Sequence, residues 1–597
     1  MEDSKLASSP SAILDRHAWL CLLIVSAVLI PRSWLIMQAH NECIDTDYHL
    51  RHGLAELLGT REQFVMGAND PPLGQMILAL PMAITGNIPS RPIDKAHWPA
   101  GAGVPGERPA GETQPTPQRA EYERTIRTGA LYGNAWSPQS LLTLIAVWKA
   151  ALFVPCMLVI FQWCRAVYGV WPAWLTQSLI LFDPTFTAHI PIAALDTLAV
   201  EAIVIACFCI WRYFERPRLA SLTAAAVTTA AAVLVKHTAV IAPVVFLLFA
   251  AHYWVWRPWR EGITPSQWRT ALRPRLNALA AAVFIGLLSI WALLLFDFSV
   301  PADQLRDTPL PRATSAVGEM LDAALHRRWP GGTYIGCFVS GFLTNRGGQP
   351  ALLFGQISPD GFLAYFPALM TLKVPVGTWL ALILAVASIF RRRLVRGEVS
   401  ILIPLLGWLL MLLAARMNTG FRHFLPAYVF MLMWAGRCLV DAARPIALAA
   451  WAGALAAIGH AVSFHPNTLA YVNFPRQRVW MQITDSNLDW GQSIRQIGPW
   501  LDARPDEKRN VYVVPRGARA GHVGPYYLGG RERVKFLDRG KPLPAEGLLV
   551  ISPVWVTGVY DEPGENPYAF LQSMTPVDTV GRSMLVYDLG AIRQAAP

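Results

Sequence analysis

The sequence predicts an α-helical polytopic membrane protein with about eleven transmembrane helices and a small C-terminal extracytoplasmic α/β domain. Three observations carry that expectation. Of 597 residues, 53% are hydrophobic and only 15% charged, against about 25% charged in soluble chains, and mean hydropathy is +0.34. Apolar runs near the roughly 17–25 residues that cross a bilayer recur from Ala18 to Val462. Beyond Phe464 the apolar runs shorten to strand length.

The first run, Ala18 to Met37, is too long for a signal-peptide core and reads as a signal anchor. Further spans are expected over Leu141–Val167, Trp171–Phe186, Ile192–Tyr213, Leu219–Val235, Ala239–Trp256 and Leu276–Phe296. Val374–Phe390, Ile401–Arg416, Leu425–Val440 and Ile446–Val462 complete the set. Pro71–Ile84 is apolar but short, and Pro71-Pro72 opens it, so it reads as an interfacial or re-entrant helix. Pro89–Gln118 is rich in Pro and Gly and low in aliphatics, which makes it a flexible insertion. In the last part, Asn510–Val514, Leu548–Ser552 and Ser583–Tyr587 read as strands and Gly491–Leu501 as a helix. The expected organisation is a transmembrane domain over 1–463 and an extracytoplasmic α/β domain over 464–597. The first holds one outer loop with amphipathic helices at 38–137 and a second large outer loop at 297–373.

The net charge of +11 fits basic cytoplasmic loops. No basic cluster interleaves with aromatics, so no nucleic-acid partner is expected. Arg212, Arg216 and Arg218 fill one loop; Arg257, Arg260, Arg269, Arg273 and Arg275 fill another. Arg391, Arg392, Arg393 and Arg396 follow, then Arg437 and Arg444. With these inside, the Asp45 region, the Leu310 region and the C-terminal segment lie outside. The 23 Trp suit interfacial belts or packing between helices. The 8 Cys are scattered with no Cys-x-x-Cys, so neither a disulfide framework nor a zinc knuckle is indicated.

Chemistry gathers at the expected outer mouth. The carboxylates there are Glu42, Asp45, Asp47, Asp70 and Asp196; the basic groups are Lys236, Lys373, Arg422 and His423, flanked by Arg416. Charges at such depth are costly and usually pair with one another or with substrate. Lys236-His237 interrupts an apolar run, and Arg422-His423 precedes one. Snorkelling or interfacial anchoring is the plainer role for each. Joined in one site, they suit a lipid carrier with a phosphate head group, since Arg contacts phosphate bidentately and Lys adds a point charge. Asp45 and Asp47 could activate a hydroxyl or hold a metal. Asp485-Ser486-Asn487-Leu488-Asp489 has the alternating oxygens of a calcium loop. However, Trp490 stands at the glycine position and Gln496 at the closing carboxylate, so a turn capping the following helix is the better reading. His189 and His49 read as packing or hydrogen-bonding residues.

Asp45-Thr46-Asp47-Tyr48-His49 followed by Asn69-Asp70-Pro71-Pro72-Leu73 resembles the first outer loop of the glycosyltransferase C superfamily. The likeness is to bacterial relatives of the dolichyl-phosphate-mannose protein O-mannosyltransferases (family 39) and of the lipid A aminoarabinose transferase. Thr46 stands where that family usually has Glu, and Asn69-Asp70 where it has Glu-His. The stretch Asp183 to His189 and on to Asp196-Thr197-Leu198 resembles a helix junction with a recurrent acid. Leu353 to Ser358 and on through Tyr365-Phe366-Pro367 to Lys373-Val374-Pro375 resembles the long loop before the eighth helix. Asn418 to Pro426 resembles a basic motif near the carrier phosphate, and Tyr471 to Phe474 with Asp485 to Gln492 resembles the tail of one bacterial subfamily.

The resemblance implies a multi-pass enzyme of the bacterial inner membrane with an extracytoplasmic site. It would transfer a hexosyl or pentosyl group from a polyprenyl-phosphate sugar to a hydroxyl of a protein, lipid or glycan, with inversion. Asp45 would be the base, with Asp47 a second acid. Lys236, Lys373, Arg422 and His423 would hold the donor phosphate, and Asp70, Asp196 and His49 would support them or the acceptor. Some superfamily members use a divalent cation and others do not, so a metal at Asp45 and Asp47 stays open. Two rival classes are a flippase for lipid-linked sugar, which would show inverted repeats, and a non-catalytic envelope assembly protein.

Overall fold

The computed structural model describes residues 15–59, 70–88, 130–132, 134–305, 316–391, 394–413, 415–473, 478–516 and 520–595. The Pro89–Gln118 insertion, Asn69, Leu310, Arg392, Arg393 and Phe474 lie outside the described residues.

Every apolar run from Ala18 to Val462 carries helix. Six helices are long and apolar enough to cross a membrane: Arg16–Ala39, Pro138–Tyr168, Asp196–Glu215, His237–Arg260, Pro265–Leu293 and Arg444–Ser463. A seventh span counts if Tyr365–Lys373 and Val376–Arg391, bent by 115°, are taken together; the break falls at Val374-Pro375, where proline cannot continue the helical ladder. The expected eleven spans therefore include several shorter helices: Val170–Leu181, Leu219–Val235, Val399–Leu413 and Leu425–Ala435. Val170–Leu181 ends early because Asp183 starts a new helix. Its carboxylate accepts from the backbone N–H of Thr185 and Phe186, and Pro184 fills the first position.

Pro265–Leu293 shows why the chain needs a bilayer. Its apolar window has no buried share, and Leu276, Val283, Phe284 and Leu287 are each more than half exposed. Such a surface is stable only against lipid or another apolar partner.

Asp45 heads the helix Thr46–Leu57. That helix packs on Pro72–Ile84, the expected short interfacial helix, which in turn packs on Leu219–Val235. Two glycines set the spacing. A Cβ on Gly53 would lie 2.0 Å from the Gln75 carbonyl oxygen, and one on Gly74 would lie 2.6 Å from that of Val235. These close approaches bring the Asp45 helix near the backbone that leads into Lys236.

The C-terminal segment forms a five-stranded sheet in the order Val534–Phe536, Val511–Val514, Leu548–Ile551, Met584–Asp588, Asp578–Val580. The first three strands are parallel and the last two add antiparallel. Alternate residues serve two cores, as strand geometry requires. Val511, Val513, Leu548 and Val550 pack with Ile494, Ile497 and Leu501. Tyr512, Val514, Leu549 and Ile551 belong to the apolar cluster that fills the helical part. The sheet is thus built into the molecule. The helix expected over Gly491–Leu501 is shorter, a 3₁₀ turn at Ile494–Gln496 and then Ile497–Asp502.

Candidate active site

Four side chains from distant segments form a row of alternating charge. Asp45 Oδ2 accepts from Arg422 Nη1 at 3.1 Å; the same guanidinium nitrogen lies 3.7 Å from Asp196 Oδ2; Asp196 Oδ1 accepts from Lys236 Nζ at 2.5 Å. Asp196 therefore bridges the two cations and holds them side by side.

Local structure explains each placement. Asp45 occupies the N-cap position of its helix but makes no capping bond, because its carboxylate turns to Arg422. Asp196 opens the helix Asp196–Glu215, where the positive end of the helix dipole favours its charge. Lys236 breaks the helix Leu219–Val235 with an extended backbone, φ −157° and ψ 144°, before a 3₁₀ turn resumes at His237. Arg422 sits in the 3₁₀ turn Phe421–Phe424, which follows Gly420 at φ 138°. A Cβ on Gly420 would meet Ser486 Oγ at 2.1 Å, so glycine is required for both conformation and contact.

Exposure separates the roles. The Asp45 side chain is 33% exposed, while Asp196 is 3%, Arg422 14% and Lys236 15%. Asp45 is the carboxylate open to an incoming group; Asp196 is enclosed and orients the cations. Burial alone would pull the Arg422 guanidinium down, and the carboxylates of Asp196, Asp45 and Asp485 outweigh it and hold it charged. Burial pulls the His49 imidazole below its ordinary value, against the influence of Asp70 and Asp45.

Three expected site residues point elsewhere. Lys373 Nζ donates to the carbonyls of Leu469, Tyr471 and Asn487, at 2.8, 2.8 and 2.7 Å. An ammonium has three protons, so Lys373 fastens the C-terminal segment to the helices and keeps none for a phosphate. Asp47 is buried and pairs with Arg51 at 2.9 Å, one helical turn on. His423 shares a 2.7 Å hydrogen bond with Thr419 Oγ1, and burial, with Arg422 and Lys236 beside it, keeps its imidazole neutral. It adds no positive charge to the row. Asp45 and Asp47 are engaged by different guanidiniums, and among the described residues no three His, Cys, Asp or Glu side chains gather as metal ligands.

The wall of the site is a strap from the C-terminal segment, expected from sequence as a turn capping the next helix within a stretch that resembles one bacterial subfamily's tail. The Arg422 guanidinium lies 4.1 Å from the ring centre of Trp490, a buried indole. The strap is pinned from both sides. Ile44 N donates to the Trp490 carbonyl at 3.1 Å, and Asn41 Nδ2 to that of Gly491 at 2.8 Å. Ser486 Oγ donates to the Thr419 carbonyl, and Phe421 N donates to Asn487 Oδ1 at 2.9 Å. Within it, Asp485 pairs with Arg516 at 2.8 Å and accepts from the Tyr560 hydroxyl, and Ser552 Oγ donates to Asp489 at 2.5 Å. These partners take up the oxygens that suggested a calcium loop. The density of short polar side chains in Asp485–Gln492 was the available signal.

No protein-family model and no curated protein matches the chain. Similar solved structures include ArnT from Cupriavidus metallidurans in the apo state, with 13% identity over 97% of this chain and 99% of that one, TM-score 0.32. The same protein bound to undecaprenyl phosphate gives 12% identity over 96% and 98%, TM-score 0.31. The oligosaccharyltransferase AglB from Archaeoglobus fulgidus, in complex with an inhibitory peptide and a dolichol-phosphate, gives 12% over 93% and 72%, TM-score 0.45.

Proposed function

We propose that the chain is a membrane glycosyltransferase that moves a sugar from a polyprenyl-phosphate donor to a hydroxyl on an acceptor outside the cytoplasmic membrane. One observation carries the reading: an accessible carboxylate and two cations share a single row, with Asp196 fixing the cations and Trp490 covering one of them. The order of motifs that resembles the superfamily supports it, and the basic loops support an outward-facing site.

In the reaction, the acceptor oxygen bonds to the anomeric carbon while the carbon–oxygen bond to phosphate breaks. The acceptor proton goes to Asp45, and the bonding electrons go to the leaving phosphate. Attack opposite the leaving group inverts the anomeric centre. Arg422 and Lys236 stabilise the charge that develops on the phosphate. A phosphate leaves readily, so no strong general acid is needed. The donor phosphate competes with Asp45 for the Arg422 guanidinium, which frees the base as the donor settles. Acceptor choice falls to the loops and the C-terminal sheet that surround the row.

Mass spectrometry of envelope glycans, lipids and glycoproteins from a deletion strain tests this reading. Loss of one sugar from one acceptor class is the expected result, restored by the wild-type gene and not by an Asp45→Asn copy. An unchanged envelope profile would count against it. Accumulated lipid-linked sugar on the wrong membrane face, with no missing transfer, would favour a flippase.

A further inference from the structure

Lys149 is a fully buried lysine within the long apolar helix Pro138–Tyr168, and no part of the proposed reaction uses it. Its ammonium donates to three backbone carbonyls, of His189 at 3.3 Å, of Ala194 at 2.8 Å, and of Ile192. All three lie on the turn that joins the helix Pro184–His189 to Asp196. That turn has no helical or strand ladder to satisfy its carbonyls, and a buried carbonyl without a donor is costly. The Ile192 carbonyl also accepts from the Ala194 N–H at 2.8 Å; Lys149 supplies a donor to all three, and its three protons match the three acceptors.

The same turn touches the site twice. The Ala194 carbonyl is two residues ahead of Asp196, whose helix begins after Leu195 without a side-chain cap. Ile192 and Ala194 also pack in one small apolar cluster with Cys43, Leu469 and Trp490. A shift of this turn therefore moves both the carboxylate that bridges Lys236 and Arg422 and the indole that covers Arg422. Glu201, one turn further along the Asp196 helix, is buried with one carboxylate oxygen unpartnered and acts electrostatically on Lys149. The lysine ammonium is thus tied to the backbone, its three donations spent on the turn.

We propose that Lys149 is a positioning residue for the transfer reaction, an ammonium that shapes the turn from His189 to Leu195 so that Asp196 presents its two oxygens to Lys236 and Arg422. The proposal rests on the transferase reading above. Methionine at this position keeps the length and loses all three donations. Arginine keeps the charge, but its planar fork cannot converge on three carbonyls set around one nitrogen.

The test uses the full chain in nanodiscs, with steady-state transfer from a polyprenyl-phosphate sugar and equilibrium binding of undecaprenyl phosphate. The variants are Lys149→Met, Lys149→Arg, Asp196→Asn and the Lys149→Met/Asp196→Asn pair. In the folded fraction Lys149→Met should lower kcat/KM by about tenfold or more, a geometric effect of the kind small misplacements cause. On the Asp196→Asn background it should cost less than about twofold, because the two residues act through one element. Lys149→Arg should show the same coupling, and it decides the matter if Lys149→Met does not fold. Additive losses, or a normal kcat/KM with only a lower melting temperature, would overturn positioning and leave a core-packing role. A wild-type chain that neither transfers sugar nor binds undecaprenyl phosphate would remove the transferase reading, and this proposal with it. Wild-type transfer with additive variants would remove this proposal alone.

Discussion

Arg422 Nη1 lies 3.1 Å from Asp45 Oδ2, although 377 positions separate the two residues in the chain. The contact joins the segment after the first apolar helix to the turn before a late one, and the Trp490 indole lies over the same guanidinium. Charge, fork geometry and stacking all meet at Arg422. Arg422→Lys keeps only the charge, so kcat/KM should fall by roughly 10²-fold, the scale of losing one aimed donor. Trp490→Ala should cost about 1–2 kcal/mol of transition-state stabilisation, the range of an enclosed cation–π contact, and Trp490→Phe less. Steady-state kinetics with a polyprenyl-phosphate sugar measures both. A Trp490→Ala enzyme with unchanged kinetics would mean the strap only packs.

Lys373 separates a phosphate ligand from a backbone clamp. Its three donations hold Leu469, Tyr471 and Asn487, and Asn487 is part of the strap. Lys373→Met leaves three buried carbonyls short of a donor, at about 1–3 kcal/mol each before relaxation. The melting temperature should drop sharply, while the donor KM of the surviving folded enzyme stays within about twofold of wild type. A tenfold rise in donor KM with normal stability would return Lys373 to the phosphate.

The strap should also be acid-sensitive. Burial pushes the Asp485 carboxyl up, but Arg516 and the Tyr560 hydroxyl outweigh it, and its value in the folded chain lies below the usual carboxylate range. A carboxyl depressed by folding contributes stability that is fully present above its unfolded value of about 3.9. That contribution is lost as pH falls through the folded value. Asp485→Asn should lower the melting temperature at neutral pH, because Arg516 is then buried without its partner, a loss of about 3–5 kcal/mol. It should also flatten the decline in melting temperature below about pH 4. Melting curves across the acid range read both effects; an Asp485→Asn chain with the wild-type acid profile would contradict the assignment.

How much was legible in the sequence follows from what each residue interacts with. The apolar helices and the three main strands could be read because burial is written as local periodicity. Lys236, Arg422, Asp45 and Asp196 could be read because charges amid apolar runs are expensive and need partners. Lys373 carries the same signature, yet its partners are backbone carbonyls, which sequence does not display. Asp47 could not be separated from Asp45 until the helix Thr46–Leu57 turned it toward Arg51. The roof over Arg422 was hidden for a different reason. Asn41 and Gly491 are 450 positions apart, and only tertiary packing brings the strap against the Asp45 segment. The short helices around Asp183 came from a local cap that competed with a continuous apolar run.

The most direct measurement is sugar transfer by purified Asp45→Asn beside wild type, with a polyprenyl-phosphate donor and a hydroxyl acceptor. Arg422 loses one charged partner in this variant and keeps Asp196, so the chain should fold and still bind undecaprenyl phosphate. Transfer should fall by about 10²–10⁴-fold, the range of a general base. An Asp45→Asn protein that transfers sugar at the wild-type rate would contradict the account.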